Sequence, residues 1–443
     1  MKRNLAAATV LLLLFFMAGA PAKADASSKD QAHSDLSSLP KIEAYLASIG
    51  IDLGSVVIQQ GQLNYAGPNC PGAGWNCTTA NRVVQLAPAT LPATNIFDCS
   101  PTVSVTVLGL DECVIVQSSA LNLAETPTTL NSATCDVTSA SGNAKQKCKI
   151  KQSSKKGNNS AEVRQRSTQR GGSPQTATLE ATIEQTSESG NNTAKITQTI
   201  QQTLDDRQTA AVTQTQNARE GATVHQISTT GNNSSDVQQY QFQDENAASQ
   251  ANIDQAQNTD STVGRNVQAE VTQYATTGDT TSNLRHALTQ HQDADSFLGP
   301  VTQTQGNGAG GLEGSVTQTT LSPGVLRHAS TQDESQTQDA STAGVLTQTK
   351  IGPEFCCATQ NGGTTADVNT VTQSSVQTDN NGSGATQFSQ QRGHCSETVV
   401  GAVCTVNQTY TANGQTFPFT ETFQFVDSNR FCSGGIEGGC NGG

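Results

Sequence analysis

Three segments of the chain share one spacing, and that spacing leaves few folds open. Ile150-Lys151-Gln152 and Val163-Arg164-Gln165 flank Gly157-Asn158-Asn159; Ile183-Glu184-Gln185 and Ile196-Thr197-Gln198 flank Gly190-Asn191-Asn192; Val224-His225-Gln226 and Val237-Gln238-Gln239 flank Gly231-Asn232-Asn233. In each segment the two glutamines stand 13 residues apart. Alternate side chains of an extended strand share a face, so each apolar residue points the same way as its glutamine. Gly and Asn tolerate the left-handed backbone of a tight turn. The unit therefore reads strand, turn, strand, and it is an internal repeat.

Looser copies continue as Val212/Gln214, Ile253/Gln255, Val271/Gln273, Leu288/Gln290, Val301/Gln303, Val316/Gln318, Leu346/Gln348 and Val371/Gln373, with weaker units ending at Gln332, Gln360 and Gln387. From Gln152 to Gln387 the mean step is about 14.7 residues, the length of one strand plus one turn. Apolar-x-Gln, a Gly-Asn turn, a small residue such as Ala161 or Ala194 and a second apolar-x-Gln resemble the repeat of curlin, the major subunit of bacterial curli fibres. The resemblance covers roughly the middle half of the chain. It implies stacked β-rungs and an extracellular fibre or matrix subunit.

So polar a chain needs an unusual interior. With 4% aromatic residues and a mean hydropathy of −0.44, it cannot fill a wide apolar core, and its Gln/Thr/Asn/Ser-rich composition alone would suit a disordered chain. Stacking changes that balance. Identical strands about 4.8 Å apart let each Gln amide bond to those above and below while Ile, Val and Leu fill a narrow interior. The expected fold is all-β: a β-solenoid of stacked cross-β rungs with disulfide-stapled ends.

Four regions follow. Residues 1–24 combine basic Lys2 and Arg3, an apolar run from Leu5 to Met17 and a small-x-small site at Ala22-Lys23-Ala24, which reads as a secretory signal peptide. Its removal takes three basic residues and no acid, moving the formal charge from −13 to −16 and arguing against general nucleic-acid binding. Residues 25–148 form an N-terminal disulfide-stapled cap with a short helix near 41–49, where Ile42, Tyr45, Leu46 and Ile49 fall at helical spacing; this helix is expected to pack onto the first rung. Residues 149–355 form the repeat solenoid, and 356–443 a C-terminal stapled cap containing a Phe-rich hairpin after Asn413-Gly414.

The twelve cysteines divide into six before the repeats (Cys70, Cys77, Cys99, Cys113, Cys135, Cys148) and six after (Cys356, Cys357, Cys395, Cys404, Cys432, Cys440). An even number in a secreted chain implies disulfides, with fifteen pairings open at each end and adjacent Cys356 and Cys357 taking different partners. Cys113-Val-Ile-Val-Gln117, Cys148-Lys-Ile-Lys-Gln152 and Cys404-Thr-Val-Asn-Gln408 place sulfur in the glutamine frame, so the ends read as stapled rungs.

Other motifs carry less. Lys145 to Arg170 holds nine Lys or Arg against Glu162 alone; Lys147, Lys149 and Lys151 alternate with inward positions and are expected to face solvent. Leu284-Arg-His-Ala287 and Leu326-Arg-His-Ala329 recur at a spacing of 42 and read as copied structural units. Pairs such as Thr197/Thr199, Thr213/Thr215, Thr302/Thr304, Thr317/Thr319 and Thr347/Thr349 fall on the outer face, which would suit a monomeric module binding ice or polysaccharide. Acids and histidines are expected on outer faces and turns, with pKa values unshifted. GxSxG, HExxH, Walker and EF-hand motifs are absent from the sequence. No catalytic, cofactor or metal residue is assigned, and the chain is read as non-enzymatic. The expectation is a secreted structural or adhesive protein of the bacterial surface or matrix, able to form fibres, with itself or matrix polymers as partners and no membrane span.

Overall fold

The computed structural model describes residues 39–60, 63–64, 82–86, 94–99, 110–119, 129–140, 143–208, 210–249, 253–257, 267–296, 301–305, 312–321, 324–340, 353–364, 366–380, 390–397, 403–412, 415–424 and 431–434. Among these one helix, Leu39–Ser48, and one short 3₁₀ turn accompany strands throughout. The expected signal peptide, Cys70, Cys77, Cys440, the unit at Leu346/Gln348 and Gln387 fall outside them.

The alternation of apolar or Gln residues with polar ones produces strands in which every second side chain is buried, as along Gln175–Ser189 and Leu312–Thr320. These strands pair in parallel, each with its counterpart one turn of chain later, so a sheet grows by coiling rather than by hairpins. Sheet A stacks Arg82–Leu86, Leu110–Ser118, the first half of Asn143–Arg170, Gln175–Ser189, Val212–Thr230, Val267–Thr277, Leu312–Thr320, Pro353–Asn361 and Gln390–Glu397. Sheet B stacks Thr94–Cys99, Thr129–Ser139, the second half of Asn143–Arg170, Asn192–Gln208, Asn233–Ser249, Thr280–Ser296, Leu326–Ala340, Val368–Asn380 and Val403–Ala412. Strand Asn143–Arg170 runs through both sheets, so the two are faces of one sheet folded over at the arcs. Most rungs have one strand in each sheet, and Ile253–Gln257 and Val301–Gln305 add a second, short sheet A strand to two of them, stacked on the start of Val212–Thr230. The arrangement is all-β, parallel and solenoid-like.

The Gly-Asn-Asn arcs stack directly. Gly157, Gly190, Gly231 and Gly278 all have φ between 134° and 143°, and Gly190 and Gly231 donate their amides to Thr230 O and Thr277 O one rung on, at 2.9 and 3.1 Å. Between the sheets, Ile150, Ile183, Val224, Val271 and Val316 form one buried column facing small residues such as Ala161 and Ala194. Each such aliphatic side chain contributes about 1.5–3 kcal/mol.

The helix corrects two expectations. It lies on the outer face of sheet A, where Ile42 and Leu46 pack with Val84, Val114 and Val116, so it spans several early rungs and not the first alone. Its Tyr45 covers Lys151, whose ammonium sits 4.1 Å from the ring centroid and 2.7 Å from Glu184 Oε2. Lys151 is therefore buried, not solvent-facing. Elsewhere in the basic segment the outward places fit a solvated face: Arg164 is exposed and pairs with Glu162, which also lies 3.9 Å from Lys195 one rung on.

Two disulfides join the sheets, Cys99–Cys113 and Cys135–Cys148. They are stacked, since Cys99 registers with Cys135 and Cys113 with Cys148, and in the next rung the same places hold Val163 and Ala181. A buried Cys–Cys pair thus fills the layer that Val plus Ala fills elsewhere. At the other end the parallel order stops. Gln415–Gln424 pairs antiparallel with Val403–Ala412, as the expected hairpin, and Phe431–Gly434 pairs antiparallel with Gln390–Glu397.

The two Leu-Arg-His-Ala units are not equivalent copies. Leu326 registers with Thr280 and Leu284 with Ser330, so the units are offset by four residues. The length of chain from one registered strand to the next varies between rungs, which breaks the sequence spacing without breaking the register.

Candidate functional site

The chemistry of this molecule is concentrated in its interior amides. Gln59, Gln85, Gln117, Gln152, Gln185, Gln226, Gln273, Gln318 and Gln360 form one column in sheet A, at chain separations of 26, 32, 35, 33, 41, 47, 45 and 42 residues. Each later Nε2 donates to the preceding Oε1 at 2.7 to 2.9 Å. The second N–H crosses to a sheet B carbonyl: Gln152 to Ser160 O, Gln185 to Thr193 O, Gln226 to Ser234 O. One side chain therefore fixes rung to rung and sheet to sheet, and along the column its polar atoms are matched although it is buried, up to Gln360, whose Oε1 has no partner among the described residues.

Sheet B carries parallel devices. Gln165, Gln198 and Gln239 bond at 2.7 Å, and Gln169, Gln202, Gln243, Gln290 and Gln336 at 2.7 to 2.9 Å. Asn95, Asn131, Asn159, Asn192 and Asn233 line the arc, with the opposite sense: each earlier Nδ2 donates to the later Oδ1. Amide dipoles in the Asn column thus oppose those in the Gln columns.

Five inward strand residues contradict the expectation that acids and histidines lie outside: Glu220, Glu245, His286, His328 and Glu334. Glu220 is fully buried, and burial pushes its carboxyl well above the ordinary range, against a weaker pull from Gln241 and the Tyr240 amide. Glu245 is pushed up to about 8 by burial, although Gln292 Nε2 donates to it at 2.8 Å. It stands at the foot of its ladder, above Leu204, and need only accept from the rung above. His286 takes a Gln place between Gln239 and Gln332. Neither of its ring nitrogens has a partner, Gln239 Oε1 loses its donor, and burial lowers the imidazole to about 4. His328 is likewise lowered to about 4 by burial. The missed signal was parity: Glu220 is in phase with Gln226, Glu245 with Gln243, and His286 with Gln290. His286 and His328 are four register positions apart and do not meet.

These groups give opposed pH limbs. Glu245, with its folded value raised, contributes stability present at low pH and lost as pH rises from about 4.5 to about 8. His286, with its folded value lowered, contributes stability present above about 6.5 and lost as pH falls towards 4. Glu245→Gln is expected to raise stability at pH 7 by roughly 2 to 3 kcal/mol and flatten the alkaline limb. His286→Gln, which restores the ladder, should add about 2 kcal/mol and flatten the acid limb. Urea unfolding from pH 4 to 9 checks both, and parallel curves for variant and parent would refute the assignment.

The outer faces are less organised. His291 Nδ1 lies 2.9 Å from Asp244 and Nε2 3.4 Å from Asp339, which raises its pKa and ties three rungs together. The Thr-x-Thr pairs are spread over different faces. Thr197 and Thr199 stack under Gln238 and Tyr240 in sheet B, Thr213 under Asp254, and Thr317 over Thr272 in sheet A, so these pairs form no single array. Thr347 and Thr349 lie outside the described residues. Among the described residues no three His, Cys, Asp or Glu gather as metal ligands, and no helix is long and apolar enough to cross a membrane. Compared with protein-family models, curated proteins and solved structures, the chain matches none.

Proposed function

We propose that the chain is a secreted, non-enzymatic structural or adhesive protein of the bacterial surface or matrix, whose working part is the stacked repeat. The continuous Gln59-to-Gln360 column carries this reading. Its amides are satisfied only with a rung on either side, so the interior serves assembly and leaves the outer faces for contact with matrix polymers or further copies. The likeness of the Gly-Asn-Asn arcs to curlin supports the same class.

The C-terminal end favours a discrete, stapled scaffold over unrestricted templated growth. Glu397 takes the register place after Gln360, and a carboxylate has no N–H to continue the ladder. Antiparallel strands then end the parallel stack, a common way of blunting an edge. The test uses the chain lacking residues 1–24, oxidised and reduced, in circular dichroism, thioflavin fluorescence and electron microscopy. Expected are a β spectrum and soluble particles when oxidised, and seeded fibrils when the disulfides are reduced. A random-coil spectrum overturns the reading, as do two forms that both stay monomeric and bind no matrix polymer.

A further inference from the structure

We propose that Cys395 and Cys404 form a disulfide across the last parallel rung, a C-terminal counterpart of the two bridges at the other end. The facing columns are fixed at two points. Cys135–Cys148 and Cys99–Cys113 join the column of Ala181 and Ala222 in sheet A to the column of Val163 and Ile196 in sheet B, with Cα atoms 6.3 and 6.4 Å apart. Nearer the arc, Gln152 Nε2 reaches Ser160 O at 2.7 Å. Between these contacts each sheet has one further inward column, which begins for this purpose at Ile150 in sheet A and Ala161 in sheet B.

Register carries both columns to the C-terminal end. From Ile150 it runs through Val224, Val316 and Ala358 to Cys395. From Ala161 it runs through Ala194, Ser282, His328 and Asn369 to Cys404. Cys395 and Cys404 therefore occupy facing places in one rung, and two cysteines stand where earlier rungs hold Ile and Ala. The sheet B column also turns polar on the way. Asn369 is fully buried with neither amide atom partnered, so non-covalent cohesion falls where the two cysteines appear.

The other cysteines with described backbone fit less well. Cys356 continues the Cys148 column, whose facing places hold Ser330 and Val371. Cys357 registers with Ser315, in an outward column. Cys432 registers with Cys395 on the antiparallel end strand and is the competing partner. Bond formation needs an oxidant: a small disulfide such as oxidised glutathione takes the two electrons and two protons, leaving one Cys–Cys bond and two small thiols.

The test is disulfide mapping of the oxidised chain lacking residues 1–24, with free thiols alkylated at acid pH before digestion. Trypsin and a glutamate-specific protease cut after Arg392, Glu397, Glu421, Arg430 and Glu437, isolating residues 393–397, 398–421 and 431–437. The expected species is 393–397 linked to 398–421, resolved by reduction into its two peptides. Linkage of 393–397 to 431–437 or to any other peptide, or alkylated Cys395, overturns the proposal.

Discussion

Alanine at position 231 is expected to cost more than about 4 kcal/mol and to open the stack locally around the third Gly-Asn-Asn arc. Two independent penalties meet there. The backbone holds φ at 136°, a region that L side chains rarely adopt. A Cβ at Gly231 would also lie 2.1 Å from Gly190 O and 2.6 Å from its carbonyl carbon, which are backbone atoms of the rung below. That contact cannot be relieved by a rotamer change, because the same arcs are joined by the Gly190 N to Thr230 O and Asn192 N to Asn232 O bonds, both 2.9 Å. Gly171→Ala is the control. It also has positive φ, 68°, but a Cβ there meets nothing within 4 Å, so only about 1 kcal/mol of backbone strain is expected. Hydrogen exchange of Asn192, Asn232 and Asn233 amides, with thermal melting, separates the two. Equal losses for the two variants would mean that the arc stack is not held by close glycine approach.

That contrast also shows what could be read from residue order. Apolar-x-Gln gave the inward face, Gly-Asn-Asn gave the arcs, Cys-x-apolar-x-Gln placed Cys113 and Cys148 inside, and Asn413-Gly414 marked the hairpin, all of which depend on neighbours within a few residues. The rest depends on what stacks from 26 to 48 residues away. The length of chain per rung varies, so the Leu-Arg-His-Ala spacing of 42 could not reveal a register step of 46. Lys151 alternates like a surface residue and is buried only because a helix more than a hundred residues earlier lies over it. Glu220, Glu245, His286 and His328 look like surface residues by type, but strand parity places them inside. For a solenoid interior, phase outranks polarity, because a neighbouring rung can supply a hydrogen bond that an ordinary core does not.

Removing one glutamine should therefore damage the fold more than removing an apolar neighbour's methyl group. Gln185→Ala deletes the Nε2 bonds to Gln152 Oε1 and Thr193 O and the bond accepted from Gln226 Nε2, all 2.8 Å. The loss is not three solvent-exchangeable bonds alone. Gln152 Oε1 and one N–H of Gln226 are left buried, and an orphaned buried polar group costs about 1–3 kcal/mol. Some of that is recovered by local opening to water, giving an expected net loss of roughly 4 kcal/mol. Thr197→Ala, at an outward place in sheet B, should change stability by less than about 0.5 kcal/mol. Glu184 is unsuitable as a control although it also points outward, since it pairs with Lys151 at 2.7 Å beneath Tyr45. Gln185→Glu sharpens the test: the carboxylate can still accept from Gln226 but cannot donate to Gln152 or Thr193, so it should be at least as harmful as alanine at pH 7 and milder at pH 4, where a protonated carboxyl regains one donor. Urea unfolding of the four proteins at both pH values decides the matter. If Gln185→Ala and Thr197→Ala unfold together, or if Gln185→Glu is indifferent to pH, the glutamine column is packing filler and the stack is held by its backbone ladder and aliphatic column alone.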